Sequence, residues 1–400
     1  MTLFLRWLFS GTVRQALDLR KHVLNLLAAQ RDLLTPEGIA AMEDACAKLR
    51  AAVLAKADAA ALQAEMKNVE EVANQWLRPY PHASWRENVE VILVAIAVAM
   101  AIRTFFLQPF KIPTGSMQPT LYGITHQSSR NEPEVKFPGG VDEFVDSWFR
   151  GITYYHVVCE EDGELRRVDP PKTILPLVKK QTFQVGERNY TVWFPPDQLF
   201  GGNANRAGLY PGQRFKKGED IIKLKVISGD HLFVDRLSYN FRRPERGEII
   251  VFETKGIDGL PQDQFYIKRM VAMGGERVSM DNDRHLHING QRLDASTPRF
   301  ENVYHLTGPP KDSEFSGHVN ETVARQNSRP GLAPLFSDDK QEFTVRPKHY
   351  IVMGDNTMNS LDSRAWGDFK QESVIGKSAF VYWPFFNQGD RPGRFGWSHR

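Results

Sequence analysis

Hydrophobic positions change rhythm twice along this chain. From about 12 to 77 they recur at helical spacing, as at Val13, Leu17, Leu24 and Leu27, in a background rich in Ala, Leu, Glu, Lys and Gln, the strong helix formers. Thr35-Pro36-Glu37-Gly38 interrupts the run; Thr35 suits a cap and Pro36 the first helical position. The pattern predicts two helices, the second ending near Leu77, packed together as a helical hairpin or short coiled coil, with a partner-docking arm as the functional alternative. Residues 1–9 are apolar but interrupted by Arg6, too short to span a bilayer and without a small-residue cleavage site. They do not read as a signal peptide; an interfacial amphipathic helix is open to them.

Pro79, Pro81 and Ser84 break the helical rhythm, and 91–102 then reads VILVAIAVAMAI. Arg103 interrupts, and the apolar stretch continues to Leu107. These 17 residues make about 26 Å of helix, near the lower limit for a bilayer span. Trp85 and Arg86 stand where an interfacial anchor belongs. A membrane-spanning helix is expected, and a buried core helix of the same composition is the alternative.

Beyond Pro109 the rhythm changes again. Short Val/Ile/Phe/Tyr runs, among them YTVWF (190–194), DIIKLKVI (220–227), EIIVF (248–252), QFYIKRMVAM (264–273) and HYIVMG (349–354), are separated by Gly, Pro and Asp clusters. Asn289-Gly290 signals a hairpin turn. No helix–strand alternation is present, so a mainly β, antiparallel domain is expected rather than a parallel α/β fold. Two stretches, roughly 123–185 and 294–346, lack regular patterning and read as insertions or long surface loops.

Composition narrows the function. Lys and Arg total 51 against 48 Asp and Glu, a near-balance that argues against a dedicated nucleic-acid binder. The negative mean hydropathy excludes a polytopic membrane protein but not one span. Two cysteines, Cys46 and Cys159, exclude a disulfide framework and a zinc-finger pattern, and they are expected to be unpaired. There is no HExxH, Cys-x-x-Cys, P-loop, GxGxxG or GxSxG. His285 and His287 alternate on a strand, but no third ligand is evident, so an exposed strand face is expected. Asp230 and His231 are adjacent and point to opposite strand faces, which disfavours a shared triad.

Three segments carry more. Pro109–Leu121 reads PFKIPTGSMQPTL, an extended path in which Gly115 permits close approach just before Ser116. In Tyr266-Ile267-Lys268-Arg269-Met270, alternation puts Lys268 on the face of Tyr266 and Met270 and turns Arg269 away. Buried there, a lysine loses its preference for charge and becomes a candidate general base toward a serine; exposed, it would only snorkel to water. The polar stretch GDNTMNSLDSRAWG (354–367) lies between two strands and is dense in Asp, Asn and Ser.

Taken in order after an apolar segment, these stretches resemble the type I signal peptidases, membrane-anchored serine proteases with a serine/lysine dyad. TGSMQPTL (114–121) is similar to that family's serine motif, GDHLFVDRL (229–237) to its second strand, FYIKRMVAMGGERV (265–278) to its lysine motif, and GDNTMNSLDSRAWG (354–367) to its last. The resemblance covers the catalytic half only. It implies a signal-peptidase-type antiparallel β domain. Ser116 would be the nucleophile and Lys268 the general base, with Thr114 and the Ser116 N–H forming the oxyanion hole. Ser360 would orient the lysine, and Asp362 and Arg364 would form a bracing ion pair. Phe110, Ile112, Met117, Leu121, Tyr266 and Ile267 would line shallow pockets for the small residues of an A-x-A-like site. The peptide would lie extended beside the strand at 110–112. No metal or cofactor is implied. The implied partners are preprotein signal peptides, the lipid bilayer and the secretion machinery.

The chain departs from the family pattern at Thr114, which keeps the hydroxyl of a usual serine and adds a methyl. It also departs at Arg236, read as structural, and at Gly274-Gly275-Glu276, where the turn must be built differently. The largest anomaly is an insertion at about 122–218, a candidate β-subdomain. Three parts are expected: a helical region at 1–84, an anchor at 85–108, and a β-rich peptidase domain at 109–400 with insertions at about 122–218 and 294–346. The first would be cytoplasmic and the last extracytoplasmic, on a single-pass protein of the cytoplasmic membrane, with Cys46 and Cys159 on opposite sides. Two alternatives are a self-cleaving regulator with the same dyad and a membrane-tethered scaffold with vestigial residues.

Overall fold

The structure is a computed structural model that describes residues 10–78, 83–176, 178–201, 205–304, 316–389, 391 and 393–396. The apolar start at 1–9 and the prolines at 79 and 81 lie outside the described residues. The chain divides into two compact units, Met1–Ala97 and Val98–Arg400.

In the first unit, three helices form where two were expected: Gly11–Gln30, Pro36–Leu54 and Ala59–Trp76. The second expected helix is cut at 55–58. Lys56 takes a positive φ of 60°, and the Asp58 side chain accepts the Ala61 N–H at 2.8 Å as a new N-cap. Thr35 caps its helix as expected, accepting from Gly38 N, with Pro36 at the first turn. Each helix packs on the other two, burying Val13, Leu27, Met42, Leu49, Leu62 and Val69 in one core with Cys46.

The helix Ala83–Phe105 follows. Its stretch from Trp85 to Phe105 is long and apolar enough to cross a membrane, and none of its most apolar window is buried by the rest of the chain. A helix that is apolar on every side needs an apolar surrounding, which these residues do not receive from the chain itself.

The second unit is built on a seven-stranded sheet. Its strand order is Leu107–Lys111, His231–Asp235, Val374–Trp383, Ile249–Glu253, Phe265–Met273, His349–Met353 and Phe369–Lys370. Every pairing is antiparallel. The sheet curls, because its first and fifth strands meet: the rings of Phe110 and Phe265 stand edge to face with centroids 5.5 Å apart. Both faces are covered. Ile249 and Val251 pack in one cluster and Ile250 and Phe252 in another, which explains why this strand reads as an unbroken apolar run rather than an alternation. At the expected hairpin, Asn289 and Gly290 both take positive φ between the paired Ile288 and Gln291.

The stretch beyond 122 is a β-structure with its own core. Thr125–Ser128 and Ile152–Val158 flank Asp220–Ile227. Gly163–Val168, Lys172–Leu175, Val178–Val185, Arg188–Trp193 and Arg214–Phe215 form a further sheet. Leu165, Phe183, Val185, Ile222 and Leu224 close its core around Cys159. Cys159 and Cys46 are both free and buried.

Of the two expectations for 294–346, an insertion or a long surface loop, the described residues do not fit a surface loop. Phe300, Val303, Tyr304 and Phe336 are buried in a core with Val271 and Ile351. The short helix Glu321–Gln326 packs Val323 and Ala324 with Val319. These anchors have no period, so pattern alone could not distinguish them from loop residues. The departures at 236 and 274–276 also find local partners. Arg236 donates to Gln108 Oε1 at 3.0 Å, tying the first two strands. Glu276 closes its turn by accepting the Met273 N–H at 2.7 Å and Arg246 Nη2 at 2.6 Å.

Candidate active site

Three chain segments converge on Ser116. It sits in the short 3₁₀ turn Gly115–Met117, just after the strand Leu107–Lys111 has ended. The turn is packed backbone to backbone. A Cβ at Gly123 would lie 2.1 Å from the Thr114 carbonyl carbon, and one at Gly354 would lie 2.4 Å from the Ser116 carbonyl oxygen. Only glycine fits such approaches. Asn356, which the sequence reading did not single out, pins the turn twice: its N–H donates to the Ser116 carbonyl and its Nδ2 to the Gly115 carbonyl, each at 3.0 Å.

Lys268 comes from the strand Phe265–Met273. Its Nζ donates to Ser116 Oγ at 2.8 Å and to the Ile267 carbonyl at 3.1 Å, and it lies 5.6 Å from the centroid of the Tyr266 ring. Both Ser116 and Lys268 are buried. Desolvation pushes the lysine pKa down from 10.5 to about 8; Asp362 and Asp355 pull it back up and Arg364 opposes them.

The neighbouring charges are held in two buried ion pairs. Arg364 donates through Nε and Nη2 to the two oxygens of Asp362 at 2.8 and 2.9 Å, and further to Thr357. Burial opposes ionisation of Asp362, but Arg364 and the Gly354 N–H offset it and hold the carboxyl below its ordinary value. The second pair was not foreseen. Arg269, which alternation turned away from Lys268, meets Asp355 through Nε at 2.8 Å and Nη2 at 2.5 Å. Thr120 Oγ1 donates to the same carboxylate at 2.5 Å.

These groups border a cleft of about 840 Å³ lined by Thr114, Ser116, Tyr266, Ile267, Lys268 and Ser360, together with Gln264, Phe265, Arg329–Leu332, Met358 and Leu361 among others. Thr114 makes no side-chain cap bond to the turn. Four expected lining residues lie elsewhere. Ile112, Met117 and Leu121 are buried in the core with Leu232 and Val251, and Phe110 packs half-buried against that core. Ile267, which lines the cleft, packs against the same cluster. The expected hydrogen bond from Lys268 to Ser360 is not made. Ser360 Oγ is buried without a hydrogen bond of normal geometry, packed where a Cβ at Gly354 would lie 2.2 Å from it.

Other polar groups fall into separate networks. Sequence paired His285 with His287 without a third ligand; the structure instead brings ligand atoms of Asp281, Asp283 and His285 within 4.8 Å of one another. They are engaged locally, Asp281 with the His285 N–H and His287, and Asp283 with Arg292. Asp230 turns to Arg394 while His231 packs on Trp383, so these neighbours do diverge.

The family model described as signal peptidase, peptidase S26, matches residues 85–129 and 222–383, just over half of the chain. The gap between the two matched blocks falls on the inserted β-structure. Signal peptidase I of Leptolyngbya laminosa is 31% identical over 182 residues, 44% of this chain and 71% of that protein. A probable signal peptidase I-2 of Synechocystis is 30% identical over 158 residues, 39% of this chain and 56% of that one; the chain thus spans little more than half of that relative's length. Signal peptidase IB of Staphylococcus aureus is 28% identical over 170 residues, 42% of this chain and 76% of that protein. A crystal structure of a signal peptidase I from Enterococcus faecalis V583, 27% identical, overlaps 34% of this chain and 97% of that one with a TM-score of 0.24. The matched blocks hold the serine turn, the lysine strand and the 354–367 loop together, and the chain belongs to the type I signal peptidase family, peptidase S26.

Proposed function

We propose that this protein is a membrane-anchored serine endopeptidase that removes signal peptides from translocated preproteins after small residues, with Ser116 as nucleophile and Lys268 as general base. The observation that carries this reading is the buried 2.8 Å contact between Lys268 Nζ and Ser116 Oγ at the edge of the cleft. Desolvation makes a substantial neutral fraction of Lys268 available near pH 8.

In the proposed reaction, neutral Lys268 takes the Ser116 proton as Oγ adds to the scissile carbonyl. The Ser116 N–H and the Thr114 hydroxyl face the developing oxyanion, an arrangement whose single donors are worth roughly 100- to 1000-fold in rate. The resulting ammonium is stabilised by Asp355 and Asp362, and the hydroxyl of Ser360 is available in the same cleft to receive one of its N–H groups. Lys268 then protonates the leaving amine, and a water attacks the acyl-enzyme with Lys268 again as base.

Substrate binding follows from an unpaired strand edge. On the lysine strand, residues 265–269 pair with Ile249–Glu253 on one side, while on the other His349–Met353 pairs only from Arg269 onward. The free edge at 264–268 lines the cleft opposite Pro113–Ser116, room for an extended peptide by strand addition. Tyr266 and Ile267, backed by Phe110, leave space for small side chains. The apolar helix Ala83–Phe105 leads directly into the serine strand, and it is read as the membrane anchor holding the cleft near the bilayer, with 1–84 cytoplasmic and 109–400 extracytoplasmic.

The test is incubation of an Ala-x-Ala preprotein with the full chain in lipid vesicles across pH 6 to 10. The expected result is one cut after the second Ala, with kcat/KM rising with pH through about 8, because only the neutral lysine accepts the proton. Absence of cleavage, cuts at unrelated sites, or a rising limb at the pH of an ordinary histidine contradicts the reading.

A further inference from the structure

One wall of the cleft comes from the 294–346 segment, outside the motif loops. Between residues 319 and 333 its backbone is held by several hydrogen bonds. Asn320 caps the helix Glu321–Gln326 and donates from Nδ2 to the Met280 carbonyl and Asn282 Oδ1 at 3.2 and 2.9 Å. The buried Glu321 carboxylate accepts the Gly331 N–H at 2.7 Å and the Ala333 N–H at 3.0 Å. The Arg329 N–H donates to the Ala324 carbonyl at 2.9 Å. The wall is also tied to the motif loop: Val319 N–H donates to Thr357 Oγ1 at 2.9 Å, and Leu332 and Met358 pack on one small core.

The charge on this wall is lopsided. Arg329 is exposed and lines the cleft, and among the described lining residues the only other side chain of Lys, Arg, His, Asp or Glu is Lys268. Among the described residues no carboxylate lines it, and none stands within ion-pair distance of Arg329. When Lys268 is neutral, Arg329 is the remaining charge along the described lining. An arginine on a backbone held in this way, facing a bound peptide, attracts a carboxylate and repels an ammonium.

We propose that Arg329 is a specificity-determining residue that selects for an acidic side chain, and against a basic one, in the substrate residues that lie against this wall. The proposal rests on the cleavage reading above. For a partly exposed charge pair the expected preference is about 3- to 10-fold in kcat/KM, and it should shrink at high salt.

The experiment uses the full-length protein in lipid vesicles and matched preproteins with Glu, Gln or Lys placed in turn at each residue within four of the scissile bond. Wild type, Arg329→Gln and Arg329→Glu are each read against their own rate on the Gln substrate, so that a general loss of activity cancels. The expected result is a position where wild type prefers Glu over Lys about 3- to 10-fold, Arg329→Gln brings the ratio near one, and Arg329→Glu inverts it. Equal ratios in all three proteins at every position, with the Gln substrate cleaved, overturn this inference alone. Failure of wild type to cleave the Gln substrate overturns the cleavage reading and this inference with it.

Discussion

Replacing Ser116 by Ala, or Lys268 by Ala, is expected to lower kcat/KM on an Ala-x-Ala preprotein by about 10⁴-fold or more while each variant remains folded. Ser116→Ala removes the proposed nucleophilic oxygen, and the fold of its turn relies on Gly123, Gly354 and Asn356 holding the backbone, none of which needs the hydroxyl. Lys268→Ala leaves Ser116 without a base, because among its described neighbours no other titratable side chain hydrogen-bonds Oγ. Lys268→Met serves as the companion variant, since it preserves volume. Its thermodynamic sign is opposite to its catalytic one. The folded-state pKa of about 8 lies below the ordinary 10.5, so the unfolded chain binds more protons between those values and stability rises with pH across that window. Below pH 8 the buried lysine is therefore a net cost, and Lys268→Met is expected to unfold at or above the wild-type temperature at pH 7, with the difference shrinking toward pH 10. Turnover retained in any of these variants contradicts the dyad.

The second large effect concerns the Arg269–Asp355 pair, in which both side chains are almost fully buried. Asp355→Ala strands the Arg269 guanidinium, which would keep only its bonds to the Gly247 and Arg299 carbonyls and to Thr120. Leaving a buried charge uncompensated costs about 3–5 kcal/mol, and a loss of that size is expected in urea unfolding of Asp355→Ala. Turnover should fall with it, because Asp355 precedes Asn356, which pins the serine turn. The double variant Arg269→Met/Asp355→Leu removes both charges and is expected to recover most of the lost stability, since apolar replacement of a buried pair is often near neutral. If the double variant is as unstable as the sum of the single ones, the pair does not act as a compensated unit.

What was legible in the sequence followed the chemistry. Ser116, Lys268 and the 354–367 loop are each ordinary as isolated patterns, a turn serine, a strand lysine and a polar loop, and were legible through the resemblance of the ordered motifs to the family, whereas the apolar run near 91–107 is a property of composition. What stayed hidden depends on tertiary placement. An apolar side chain reads the same in a cleft and in a core, so the burial of Ile112, Met117 and Leu121 could not be told from their sequence. Arg269 and Asp355 are 86 residues apart, and only the fold shows them as partners. Asn356 acts through two backbone carbonyls, which carry no sequence signal. The wall at Arg329–Leu332 rests on scattered anchors without a period. The third N-terminal helix was concealed by an Ala-rich stretch whose one cue is Asp58.

The central claim, that Lys268 activates Ser116 for covalent attack, is tested most directly by mass mapping of the adduct formed with an Ala-x-Ala peptide carrying an acylating group. The account predicts a single adduct on the peptide containing Ser116, forming faster as pH rises through about 8, and at least about 100-fold slower in Lys268→Ala. An adduct on another residue, or labelling of Ser116 at an undiminished rate in Lys268→Ala, would contradict it.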